Sequence, residues 1–268
     1  MLLLHGGGQS RHAWKNTGAN LARHGFQVIA PDARGHGDSE WSPTGQYDMH
    51  DFGRDVEKLL EQFDVLPAVV GASMGGMGAL LAQQQSSQQL FSAVVLVDVT
   101  PRMELGGVAR IMEFMTANPN GFASLEEASD VIASYNPARK RSPNTSGLER
   151  ILRRTDDGRW SWRWDPAFVT WRTTHDAPSP EAFEEHMDVM SEELYTGAEA
   201  ITCPMLLVRG QQSELVTDDV ADEFRSRLPE AAHVDIRGAG HMVAGDDNDA
   251  FSEAVSDFLT ASISVENR

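Results

Sequence analysis

The chain has 268 residues, with 40 Asp and Glu against 22 Lys and Arg, a formal charge of −18 and 41% hydrophobic residues. This balance excludes a nucleic-acid interface, which needs clustered cations to meet phosphates, and the single cysteine, Cys203, excludes an intrachain disulfide or a multi-cysteine metal site. No apolar run reaches the roughly 18 residues of a membrane span, so a cytoplasmic protein with no membrane partner is expected.

Leu2-Leu3-Leu4 reads as a buried strand running into His5-Gly6-Gly7-Gly8, and Gln27–Ala30 as a second one ending at Pro31. Between them, Trp14–His24 has helical spacing. The rhythm repeats with a helix over Met49–Gln62, a strand over Ala68–Gly71, a helix after Ser73 and a strand over Ala93–Val97. Such alternation predicts an α/β fold with a mostly parallel, doubly wound sheet. After Asp98 the alternation stops for about a hundred residues, too long for a bare connection. An inserted helical cap is therefore predicted after the fourth strand, with helices near 106–117, 124–135, 146–154 and 180–194. The expected division is a core of residues 1–101 and 197–268 and a cap of residues 102–196. The sheet resumes with Met205–Val208 and His233–Ile236, each followed by a helix, near 218–227 and 248–259. About six strands result.

At the end of the third strand, Gly71-Ala72-Ser73-Met74-Gly75 has the form G-x-S-x-G. A serine hydroxyl is a weak nucleophile until a sharp strand-to-helix turn presents it to a base, and small residues on either side make room for that turn. Alone, the motif is equally a glycine-rich loop before a helix. The remaining parts must come from elsewhere. His241, in Gly238-Ala239-Gly240-His241 after the last strand, is placed to be the base, since an unperturbed imidazole titrates near neutrality. A base of this kind needs an acceptor on its other ring nitrogen. Glu214, which follows the strand at Met205 through Arg209–Ser213, is the expected acid, and Asp98 at the end of the strand before the insertion is the alternative. The oxyanion donors are expected from the amides of Gly7 and Met74. His5 reads as a loop brace. The glycines at 6–8 form neither a P-loop nor a dinucleotide fingerprint, and no cofactor or metal is implied. In the insertion, which also holds Phe168 and Trp171, Trp160, Trp162 and Trp164 alternate with Ser161 and Arg163 as in a short strand or extended lip with one aromatic face, and Met112 and Met115 lie upstream. They read as cap core or as the lining of a pocket for a hydrophobic small molecule.

Taken together, the His-Gly segment at 5–8, Pro31-Asp32-Ala33-Arg34-Gly35-His36-Gly37-Asp38-Ser39, the elbow at 71–75 and Gly240-His241 resemble the α/β-hydrolase superfamily. The resemblance is to its capped branch of small esterases, C–C hydrolases, epoxide hydrolases and cofactor-free haloperoxidases, and it covers nearly the whole chain. It implies a serine hydrolase that cleaves a carboxylic ester or lactone through an acyl-enzyme. C–C bond hydrolysis or perhydrolysis would use the same residues. Epoxide hydrolases and dehalogenases of the family carry Asp where Ser73 stands, which disfavours those activities. The alternative of another class is a non-catalytic ligand-binding protein on the same fold. Two departures stand out. Relatives usually carry two strands before the His-Gly strand, so the edge at Gln27–Ala30 is expected to be exposed, which leaves room for a homo-oligomer. Many relatives also place Asp where this chain has Ser213.

Overall fold

The computed structural model describes residues 1–135, 144–171, 179–241 and 249–263. Strand β1 (Leu2–Leu4) leads through a 3-10 turn at Arg11–Trp14 into α1 (Lys15–Arg23), and α2 (Met49–Leu60), β2 (Ala68–Ala72), α3 (Met74–Gln85) and β3 (Ala93–Val97) follow. The long insertion contains α4 (Leu105–Thr116), α5 (Leu125–Tyr135), a hairpin of β4 (Leu152–Arg154) and β5 (Trp160–Trp162), α6 (Ala167–Trp171) and α7 (Pro180–Glu199). The chain then returns with β6 (Met205–Gly210), α8 (Asp218–Arg227), β7 (Ala232–Ile236) and α9 (Asp249–Ser262). The expected start of this last helix, Asn248, lies outside the described residues.

The main sheet has the order β1-β2-β3-β6-β7, and every pairing is parallel. Because helices cover both faces, its strands are continuous apolar runs: AVVGA in β2 and AVVLV in β3 are buried at every position. Successive side chains point to opposite faces. Leu2, Leu4, Val69, Val94 and Leu96 pack on the side of α2, α3 and α7, while Leu3, Val70, Val95 and Val97 meet Trp14, Leu21, Phe251 and Val255 of the α1 and α9 side. Helix α3 is buried over Met74–Gln83 because the sheet, α2 and α7 enclose it. Close approach there requires glycine. A Cβ at Gly75 would lie 2.4 Å from the carbonyl oxygen of Leu4, and one at Gly197 of α7 would lie 2.1 Å from that of Leu80.

Two elements differ from the sequence-based expectation. The strand over Gln27–Ala30 is reduced to one parallel bridge, Leu2 to Ile29, so five strands and one bridge stand where six strands were predicted. The Ile29 amide donates to Met1 O at 2.9 Å and its carbonyl accepts from the Leu3 amide at 2.8 Å, and Pro31, lacking an N–H, cannot continue the ladder. In the insertion, the helix expected over 146–154 is a 3-10 turn at Thr145–Arg150 followed by β4. The turn Thr155-Asp156-Asp157-Gly158 closes a hairpin onto β5, with Gly158 at φ 83°. An Asp-Gly pair between two short runs is a hairpin signal, and it outweighs the weak helical spacing. Helix α7 runs unbroken through the expected boundary at 196/197, with Leu194, Gly197 and Ala198 buried against the core layer. Among the described residues, no helix is long and apolar enough to cross a membrane.

Candidate active site

Ser73 stands between β2 and α3 at φ 46°, ψ −117°, a conformation that a residue with a side chain rarely adopts. The surroundings hold it there. Its amide donates to Val97 O of β3 at 3.1 Å, while its carbonyl accepts from the Gly76 and Met77 amides at 2.9 and 3.1 Å. A Cβ at Gly71 would come 2.6 Å from the Gly76 backbone, so the strand and helix flanking the serine can meet only as glycines. The turn is the sharp elbow that the motif predicts.

One residue beyond Val97, Asp98 is fully buried and also has positive φ, 48°. Its Oδ2 accepts from His241 Nδ1 at 2.8 Å and from Ser213 Oγ at 2.6 Å, and its Oδ1 accepts from the Gly210 amide at 2.9 Å. A carboxylate only accepts, so Nδ1 of His241 carries the proton and the lone pair of the neutral ring is on Nε2. Glu214 takes no part. Its side chain is 56% exposed and pairs with Arg110 of α4. The expectation that Glu214 is the partner of His241 is thus corrected to Asp98. The reason is local: Ser213 Oγ accepts from the Leu215 and Val216 amides, which folds the loop so that the Glu214 side chain leaves it outward.

Gly6 packs directly beneath the serine, since a Cβ there would lie 3.4 Å from Ser73 Cβ. Within this loop, the Gly6 amide donates to Gln9 Oε1 at 3.0 Å and the Gly8 amide to His36 Nε2 at 3.1 Å. The Gly7 amide between them has no acceptor among the described residues, and neither has the Met74 amide, in the first turn of α3 where helix donors are unpaired. Gly7 follows the glycine that packs on Ser73, and Met74 is the next residue after it.

The aromatic residues of the insertion divide into two sets. Met115 Cε and the Trp164 ring would lie 3.2 and 3.4 Å from a Cβ on Gly8, so both close over the glycine loop. Trp162 stacks behind Trp164 with ring centroids 4.2 Å apart and meets Phe114 and Phe122 edge-on, and Trp160 bridges Phe122 through its backbone. These two tryptophans are insertion core, and Met112 packs partly buried in the same cluster. Phe168, another of the insertion aromatics that read as core or pocket lining, has its ring 3.5 Å from a Cβ on Gly7 and edge-on to His36 at 4.8 Å. The signal for it is Asp165, whose Oδ1 accepts from the Ala167 amide to start α6, and whose Oδ2 accepts from Tyr47 Oη at 2.6 Å. A cavity of about 570 Å³ between loop 31–43, α2 and the start of α3 is lined by neither Ser73 nor His241 and is not assigned to substrate.

A family model described as alpha/beta hydrolase fold matches residues 1–247. The chain belongs to this family. Among known relatives of this α/β hydrolase, esterase Rv0045c of Mycobacterium tuberculosis is 30% identical over 97% of the chain and 82% of its own length. A crystal structure of that esterase superposes with a TM-score of 0.71 at 30% identity, covering 96% of this chain and 83% of the other. The sn-1-specific diacylglycerol lipase ABHD11 of Mus musculus is 28% identical over 90% of the chain and 74% of its own length. The structure of E-2-(acetamidomethylene)succinate hydrolase shares the fold with a TM-score of 0.79 at 22% identity, over 97% of this chain and 90% of that one. This protein is accordingly an enzyme of the hydrolase class.

Two neutral histidines hold the glycine loop of the hydrolase. His5 Nδ1 donates to Gly6 O at 2.8 Å while its Nε2 accepts from the Ala33 amide at 2.9 Å. His36 Nδ1 donates to Arg34 O at 2.9 Å while its Nε2 accepts from Gly8. Burial lowers the pKa of both, that of His36 to about 3, where His5 beside it lowers it further. At His36 the unfolded chain therefore binds a proton near pH 6.5 that the folded chain refuses until about pH 3. The His36 contribution to stability is complete above pH 6.5 and is lost as pH falls, at about 1.4 kcal/mol per pH unit in that window. Urea unfolding of wild type and His36→Gln between pH 7.5 and 5 should show a shallower loss in the variant by about one proton. Parallel curves would contradict the assignment.

Proposed function

We propose that this hydrolase cleaves a carboxylic ester or lactone with a hydrophobic portion through an acyl-enzyme on Ser73. The observation that carries this reading is the juxtaposition at the ends of neighbouring strands. Ser73 is held at positive φ by Val97 O, and the next residue, Asp98, fixes the proton on Nδ1 of His241. Nε2 of His241 takes the serine proton as Oγ attacks the acyl carbon, and the developing oxyanion is met by the Gly7 and Met74 amides. Collapse of the tetrahedral intermediate breaks the C–O bond, and His241 returns its proton to the leaving alkoxide. Water then attacks the acyl-enzyme with the same histidine as base, releasing the acid and the free serine. Asp98 orients the imidazole and stabilises its cationic form. The insertion acts as a cap, and Met115, Trp164 and Phe168 at the glycine loop favour a hydrophobic acyl or alkyl group. The names of relatives, an esterase and a lipase, agree with this class.

The test is pre-steady-state hydrolysis of p-nitrophenyl butyrate. A burst approaching one p-nitrophenol per chain, or steady turnover absent from Ser73→Ala, is expected. Turnover that persists in Ser73→Ala would overturn the proposal, as would none with any of a series of esters and lactones.

A further inference from the structure

Ser213 is buried in the loop after β6, and its hydroxyl has one proton to give. The Leu215 and Val216 amides, at 3.2 and 3.1 Å, can only donate to it, so that proton is committed to Asp98 Oδ2 at 2.6 Å. The same Oδ2 receives His241 Nδ1 at 2.8 Å. Serine and histidine thus draw on one oxygen, and the other is occupied by the Gly210 amide.

We infer that Ser213 is a positioning residue that sets how strongly Asp98 holds the His241 imidazolium. This rests on the reading of Ser73, His241 and Asp98 as the catalytic set. A short hydrogen bond from Ser213 shares the negative charge of Oδ2 and fixes the direction in which it faces the imidazole. Removing it concentrates charge on the oxygen that meets Nδ1, so the imidazolium is stabilised and the base is protonated up to a higher pH. Other charged groups on the packed elements remain in every variant. They are Arg209 of β6 with Asp235 of β7 and Asp218 of α8, Glu214 with Arg110 of α4, and Arg102 with Glu223 of α8.

The experiment compares kcat/KM against pH for wild type, Ser213→Ala, Ser213→Thr and Asp98→Asn with p-nitrophenyl butyrate, at a temperature well below each melting transition. Ser213→Ala is expected to raise the midpoint of the acid limb by about 0.5 to 1 pH unit, which lowers kcat/KM roughly 3- to 10-fold on that limb. Ser213→Thr, which keeps the hydroxyl, is expected to restore the wild-type midpoint. A purely structural serine would lower the whole profile and leave the midpoint in place, and that result would overturn the inference. So would a threonine variant with the midpoint of the alanine variant. If the alanine variant does not fold, Ser213→Cys, a weak donor of similar size, provides the same readout. Wild-type activity in Asp98→Asn would refute the underlying catalytic set. Loss of activity in Asp98→Asn with an unmoved midpoint in Ser213→Ala would refute the Ser213 inference alone.

Discussion

Replacing Asp98 with Asn is expected to lower kcat by roughly 10⁴-fold, whereas Glu214→Gln should stay within about twofold of wild type. The asymmetry follows from hydrogen-bond direction. Oδ1 of Asp98 must accept from the Gly210 amide, so an Asn side chain keeps its single oxygen there and turns its NH₂ toward His241 Nδ1. That NH₂ donates, which forces the ring proton onto Nε2, where it can no longer accept from serine. Glu214 makes only an exposed pair with Arg110, and pairs of that kind contribute about 0 to 1 kcal/mol. Steady-state kinetics of the two variants, each checked for an unchanged melting temperature, decides the matter. A large loss in Glu214→Gln would contradict the assignment of the acid.

Ser73→Ala should be at least as severe, with kcat down by roughly 10⁴- to 10⁶-fold and KM nearly unchanged. In the proposed mechanism the hydroxyl is the atom that bonds to the acyl carbon, while ground-state binding is assigned to the insertion and the glycine loop instead. Alanine has the same backbone limits as serine, so the positive φ at position 73 is neither relieved nor worsened, and stability should hold. Residual turnover within a hundredfold of wild type would place the nucleophile elsewhere.

The sheet and the elbow were legible because their signals are local. Buried parallel strands must be continuous apolar runs, as at Ala93–Val97, and a serine between glycines after such a run reads as an elbow once the His-Gly segments elsewhere in the chain are set beside it. The partner of His241 was left between two carboxylates, Asp98 directly after β3 and Glu214 four residues beyond the end of the neighbouring β6, because the choice between them depends on a turn. Positive φ at Asp98 and the Ser213 hydroxyl folding its own loop decide it, and neither is a property of a spacing. The insertion was the hardest part. Its hairpin is set by the Asp-Asp-Gly turn and by stacking of Trp162 on Trp164, and Phe168 reaches the glycine loop only because Tyr47, 118 residues from Asp165 in sequence, holds the start of α6. Long-range pairings of this kind leave no periodicity to read.

The proposed mechanism needs Ser73 to be a nucleophile activated by His241, which Asp98 holds at Nδ1. Treatment with a fluorophosphonate, followed by intact mass and peptide mapping, tests it most directly. The expected result is one adduct per chain, on the peptide bearing Ser73, abolished in Ser73→Ala, strongly slowed in His241→Ala and Asp98→Asn, and unchanged in Glu214→Gln. An adduct on another side chain, or labelling of Ser73 at the wild-type rate without the imidazole, would contradict it.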